Sequence, residues 1–177
     1  MRVAAAVLAF VAAACGDAAT PAAPTAPPTS APPLRTVDLP ALRAHLDAQK
    51  GKPMLVNFWG TWCLPCVQEM PDLLAGTKAF RDRGGVVVLV AMERMGRNAT
   101  DAEAEARVAK LAPELGIDFP TVICNSDDIQ AVRKAIGVEI GGLPQTLAYN
   151  RAGKLVEHHE GMATQEQFLA MVEAAER

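Results

Sequence analysis

The chain has 177 residues, half of them apolar, and its 17 Lys and Arg against 20 Asp and Glu give a net charge of −3. That length leaves room for one folded domain with an ordinary core once a processed-looking N-terminus and a low-complexity segment are set aside. Interspersed charges of both signs argue against a nucleic-acid surface or a polybasic membrane patch, and four cysteines at positions 15, 63, 66 and 124 argue against a disulfide framework.

Residues 1–14 read as a signal peptide: Arg2 is followed by an unbroken apolar run from Val3 to Ala14, too short to span a bilayer. The run ends Val11-Ala12-Ala13-Ala14-Cys15, which resembles the lipobox of bacterial lipoproteins and makes Cys15 the expected lipid-attachment residue. Ala12 stands where that pattern usually has Leu. Ordinary cleavage after Ala14 is the alternative, giving a plain soluble exported protein with an unpaired, exposed thiol in an oxidising compartment. Residues 15–34 form the anchor cysteine and a linker, almost only Ala, Pro, Thr and Ser from Ala18 to Pro33, a composition that cannot build a packed core. At about 3.1 Å per residue, an extended linker of this length reaches about 60 Å at most.

Residues 35–177 carry the predicted elements. Asp38 caps a helix with Leu39, Leu42 and Leu46 on one face, ending near Gly51. Met54 to Trp59 is a buried strand, and a helix begins at Cys63, continues through Val67, Met70, Leu73, Leu74 and Phe80, contains Pro71, and stops at Gly84-Gly85. Val86 to Val90 is a β-branched run expected to be a central parallel strand, with the preceding helix as its crossover. Thr100 and Glu103 form a capping box for a helix to about Leu115, with Glu103 and Arg107 as an i,i+4 pair. Thr121 to Cys124 is a short strand, and a helix from Asp128 to Ile136 stops at Gly137. Gln145–Tyr149 and Lys154–Glu157 form a hairpin, and Thr164 with Gln167 caps a last helix whose Phe168, Leu169 and Val172 point inward.

Trp62-Cys63-Leu64-Pro65-Cys66 lies at the junction of the first expected strand and its helix. Orphan N–H groups and the helix dipole there stabilise a thiolate on Cys63, making it the nucleophile. Cys66, three residues on, lies about 5 Å away between Cα atoms and can resolve what Cys63 attacks. Pro65 is tolerated in the first turn, where its missing N–H would have no partner. A structural disulfide or a metal clip is the alternative use of the pair.

With Asn57-Phe58-Trp59-Gly60-Thr61 before the pair and Glu69-Met70-Pro71 after it, and with Leu143-Pro144 ahead of the hairpin, the chain resembles the extracytoplasmic TlpA/ResA-like branch of the thioredoxin superfamily from about Leu39 onward. The resemblance implies an α/β thioredoxin-like three-layer fold: a mixed central sheet flanked by helices, with a C-terminal hairpin and helix. It implies a buried carboxylate at Glu69, three residues beyond Cys66, able to take that thiol's proton; a solvated Glu that complements the helix dipole is the alternative. Thioredoxin itself has an aspartate where this chain has Asn57, leaving Glu69 as the local carboxylate. By the same resemblance Pro144 is a cis-proline, and the backbone of Leu143 pairs with an extended substrate segment. Trp62 either shields the sulfurs and contacts substrate or is a core aromatic. Cys124 is expected to be a buried apolar thiol, with a second disulfide as the alternative. The adjacent His158 and His159 point to opposite faces of a strand, and His45 sits on an exposed helix face.

These residues predict a periplasmic protein disulfide oxidoreductase, most consistent with reduction, needing no cofactor and no metal. Leu64 and Pro65 offer the thiolate no charged partner and a carboxylate at Glu69 opposes it, both against a strong oxidant. A disulfide-forming oxidant and a non-enzymatic copper or zinc carrier are the rival readings. The resemblance further implies oxidised protein substrates such as apocytochrome c, a membrane electron-transfer protein as redox partner, a lipid-anchored location and a monomer.

Overall fold

A computed structural model describes residues 33–177; the expected signal peptide, Cys15 and nearly all of the linker lie outside them. Six strands form one sheet in the order β1-β4-β3-β2-β5-β6. Its centre is β2 (Met54–Trp59), every residue of which is buried, running parallel to β3 (Val86–Ala91). The helix between them, α2 (Leu64–Asp82), is the crossover that parallel pairing requires. β4 (Thr121–Cys124) extends the parallel half, while β5 (Gln145–Tyr149) pairs antiparallel with β2 and β6 (Leu155–Glu160) with β5.

Two helices cover one face and three the other. α1 (Leu39–Asp47) and α4 (Ile129–Ile136) bury Leu42, Leu46, Val132 and Ile136 against Val56, Phe58 and Leu147. On the opposite face α2, α3 (Asp101–Glu114) and α5 (Gln165–Glu176) pack Met70, Val108 and Phe168 onto Leu55, Trp59 and Leu89. This is the expected three-layer α/β fold. Gly76 permits the close approach of α2 to α5, since a Cβ there would lie 2.9 Å from Phe168 Cβ.

The caps form as their residues dictate. Asp38 accepts from the Ala41 N–H at 2.8 Å, Thr100 with Glu103 and Thr164 with Gln167 form complete capping boxes, and Gly137 ends α4 with φ 74°. Four details depart from expectation. A strand, β1 (Leu34–Val37), precedes α1 and pairs parallel with β4, so Leu34 belongs to the sheet; its four residues carry no periodic signal, and only the partner strand defines it. The Glu103 carboxylate turns back to the Thr100 N–H at 2.8 Å, and Arg107 approaches Glu93 at 4.0 Å instead of pairing with Glu103. Leu169 points outward, 43% exposed, because the face of α5 toward α2 is filled by Phe168, Met171 and Val172. His45 is half-buried, and burial lowers the proton affinity of its imidazole.

Candidate active site

The C-terminal ends of β2 and β3 define one rim of the sheet, the position where open α/β sheets place their sites. From β2 the chain leaves through Gly60, Thr61 and Trp62 into Cys63, the N-cap of α2. Cys63 and Cys66 are joined as a disulfide with Cα atoms 5.3 Å apart, and Cys63 Sγ accepts from the Cys66 N–H at 3.3 Å. A backbone donor of the first helical turn is thus aimed at Cys63 Sγ, a geometry that favours negative charge on that sulfur. Cys66 is fully buried and Cys63 5% exposed, whereas Leu64 between them is 66% exposed.

Beneath the pair, Glu69 is 1% exposed. Its Oε1 accepts from Asn57 Nδ2 at 2.9 Å and its Oε2 from the Ala163 N–H at 2.9 Å. Burial pushes this carboxyl above its ordinary value; the Ala163 N–H and the Asn57 amide, which favour the charged form, pull it back part of the way. Asn57 Nδ2 also donates to Thr146 Oγ1 at 3.0 Å, while its Oδ1 has no protein partner among the described residues. The carboxylate therefore joins α2 to β2 and to the β6–α5 loop, and Asn57 extends the link to β5.

Leu143-Pro144 is a cis peptide bond. Gln145, the first residue of β5, pairs with Phe58, so Pro144, one residue earlier in the chain, lies beside Trp59 and the exit toward Cys63. The Pro144 carbonyl accepts from the Gly161 N–H at 3.0 Å, which fastens the loop holding Ala163 to the proline. Leu143 and Trp62 are half-buried and pack on the same apolar cluster as both cysteines. Trp62 Nε1 donates to the Met92 carbonyl at 3.3 Å, and the absence of a side chain on Gly60 gives the indole its place, since a Cβ there would lie 2.9 Å from Nε1.

Sequence reasoning passed over Glu93. This carboxylate, fully buried just beyond β3, accepts from the Thr61 N–H at 2.6 Å and from Thr61 Oγ1 at 2.8 Å, fixing the turn that delivers Cys63. An acidic residue two positions past an all-apolar strand, at the rim of a parallel sheet, was the available signal. Cys124 is a fully buried free thiol whose proton burial holds on, with no cysteine partner among the described residues. His158 lies opposite Leu147 and His159 opposite Thr146, on the two faces of β6. Among the described residues no group of three His, Cys, Asp or Glu is placed to hold a metal ion, and no helix is long and apolar enough to cross a membrane.

A mixed sheet with a Cys-x-x-Cys pair capping the helix after its central strand, and a cis-proline immediately before the neighbouring antiparallel strand, defines a thioredoxin-like thiol-disulfide oxidoreductase. The Redoxin family model matches residues 16–175. The thiol-disulfide oxidoreductase ResA of Bacillus anthracis is 33% identical over 138 residues, covering 77% of this chain and 71% of that protein. ResA of Bacillus subtilis (strain 168) is 31% identical over 137 residues, covering 77% and 69%. The crystal structure of a thioredoxin-family thiol:disulfide interchange protein from Chlorobium tepidum TLS superposes with a TM-score of 0.57 at 27% identity, over 73% of this chain and 83% of that one. The chain belongs to the Redoxin family, as a TlpA/ResA-like member of the thioredoxin superfamily.

Proposed function

We propose that the protein reduces disulfides of other proteins outside the cytoplasm. In the reduced form the Cys63 thiolate attacks one sulfur of a substrate disulfide, forming a mixed disulfide and expelling the other sulfur as thiolate. Cys66 gives its proton to Glu69 and attacks Cys63 Sγ; the ring closes to the disulfide seen here, and the second substrate sulfur leaves. Two electrons pass from the dithiol to the substrate, and the proton held by Glu69 returns to solvent or to a departing thiolate. Trp62 and Leu143 offer an apolar seat, and the backbone beside Pro144 pairs with the extended substrate segment.

The observation that carries this reading is the buried Glu69 three residues beyond Cys66, its proton affinity raised by burial in the direction that suits a proton acceptor for that thiol. A carboxylate beneath the pair also disfavours a very stable thiolate, supporting the reducing direction. Export through residues 1–14, anchorage by lipid at Cys15 and a tether over residues 15–34 are supported by the sequence pattern. The resemblance to ResA supports a membrane electron-transfer protein as donor and oxidised proteins, apocytochrome c among them, as substrates.

Equilibration with glutathione tests the direction. A reduction potential well below about −120 mV, the level of a strong disulfide-forming oxidant, is expected, and a potential at that level would refute it. Trapping with Cys66→Ser is expected to leave a mixed disulfide on Cys63 that identifies the client. Mass analysis of membrane-extracted protein tests the anchor, and a soluble species without lipid sinks it.

A further inference from the structure

The imidazole of His159 on β6 is connected to the Glu69 carboxylate through one peptide group. The Met162 carbonyl oxygen lies 3.3 Å from His159 Nε2, and the N–H of the same peptide unit, that of Ala163, donates to Glu69 Oε2 at 2.9 Å. A carbonyl only accepts, so the first bond requires hydrogen on Nε2; imidazolium always carries it, the neutral ring in only one tautomer. Strand register adds a second link. His159 lies opposite Thr146 and Thr146 opposite Asn57, so the three share one face of the sheet, and the Asn57 amide bonds both Thr146 and Glu69. At its outer side His159 lines a groove of about 390 Å³ between β6 and α5, with Glu157, Gln167, Glu173 and Arg177 around it. A carboxylate sealed beneath the dithiol is thereby joined to a half-buried imidazole at an open groove.

We propose that His159 is a positioning residue for Glu69, its charge state being transmitted through the Met162–Ala163 peptide to the carboxylate beneath Cys63 and Cys66. The proposal rests on the reading that Glu69 exchanges a proton with Cys66. Charging the ring strengthens its pull on the Met162 carbonyl, polarises the peptide and makes the Ala163 N–H a stronger donor to the carboxylate. The positive charge acts through space in the same direction, against burial, which drives Glu69 toward its neutral form. Of the other groups facing Glu69, Asp72 on α2 opposes ionisation, while Asn57 and Thr146 are uncharged. Around His159 the charged groups are Glu157 on β6, Glu173 and Arg177 on α5, and Glu69 itself. Imidazole is the side chain that gains charge on mild acidification. His159 therefore keeps Glu69 ionised, and usable as a base, to lower pH than burial alone allows.

The test is a ¹³C NMR titration of the glutamate Cδ resonances in the oxidised full chain, with Glu69 assigned by its loss in Glu69→Gln. In His159→Leu the Glu69 midpoint is expected at higher pH than in the wild type, with His159→Gln, a neutral donor, between them. The wild-type Glu69 curve is also expected to show a second inflection at the midpoint of the His159 Cε1 curve, a readout that needs no variant to fold. Identical Glu69 midpoints in wild type and variants that retain the Ala163 amide resonance, or a wild-type curve without that second inflection, overturn the proposal. A coupled titration in a protein whose exchange rate ignores Glu69→Gln would uphold the coupling and remove only the role of Glu69 in exchange.

Discussion

Two carboxylates flank the dithiol, equally sequestered and differently partnered. Glu93 takes both its hydrogen bonds from one residue, the N–H and hydroxyl of Thr61, with the Arg107 guanidinium of α3 at the outer limit of an ion pair, 4.0 Å away. Glu69, beneath the dithiol, draws on Asn57 of β2 and Ala163 of the β6–α5 loop, and Asn57 in turn on Thr146 of β5. The first arrangement clamps a turn; the second ties one carboxyl to several elements and leaves Asn57 Oδ1 without a protein donor among the described residues. Burial alone does not assign a role to a carboxylate. The number of elements it joins, and whether its partners can accommodate both protonation states, separate a clamp from the base proposed for Glu69.

The largest expected effect on stability comes from breaking the clamp. Glu93→Ala orphans the Thr61 N–H and hydroxyl and should cost about 2–3 kcal/mol, read from chemical denaturation, since bonds to a charged acceptor are the strong ones. Its pH profile of exchange should keep its shape; a changed shape would make Glu93 a second proton-binding group and erase the contrast.

Glu69→Gln should do the reverse, leaving stability near neutral pH little reduced while altering the pH profile. A glutamine Nε2 facing Asn57 is accommodated by rotating that amide so that its unpartnered Oδ1 accepts. The sign of the stability effect follows from the raised folded-state value of Glu69. Stability contributed by such a carboxyl is whole below its unfolded value, about 4.3, and is lost as pH rises through the raised one. Denaturation at acid and at neutral pH should therefore show wild type losing ground to Glu69→Gln on the way up. A constant difference would place Glu69 with the clamps.

A smaller effect is expected at Gly60. Alanine there pushes on the Trp62 indole and breaks its bond to the Met92 carbonyl, at a cost of about 1 kcal/mol, with a shift in tryptophan fluorescence as the readout. An unshifted spectrum would show that the indole keeps its place without the glycine.

Much of the site is legible because it is local. Cys63 caps the helix that holds Cys66 and Glu69, and the caps of α1, α3, α4 and α5 need only residues within four positions of each other, so spacing and residue type suffice to place them. The cis bond at Pro144 was implied by family resemblance and is present in the structure, although nothing in the local chain requires it. Local reasoning failed where two local partners competed or where a partner was remote. Glu103 had Thr100 as well as Arg107 within reach and took the cap. Leu169 fits a helical apolar stripe, yet Phe168 and Met171 already fill the face it would share. β1 is a strand only because β4 lies beside it.

The sequence by itself determined the order of elements from α1 onward, the dithiol at a strand–helix junction, and the residue types that make it an exchange site, because these depend on backbone preference and on neighbours along the chain. Only the tertiary structure decided which donors Glu69 has, what holds the turn before Cys63, and that His159 shares a peptide with the buried carboxylate. Those partners lie 94, 32 and 3 positions apart in the Ala163–Glu69, Thr61–Glu93 and His159–Met162 pairs. Even the short separation gains its meaning only when β6 packs against β5 and returns the loop to α2. Burial leaves polar groups no solvent to turn to, so the fold, and not the local chain, chooses their partners.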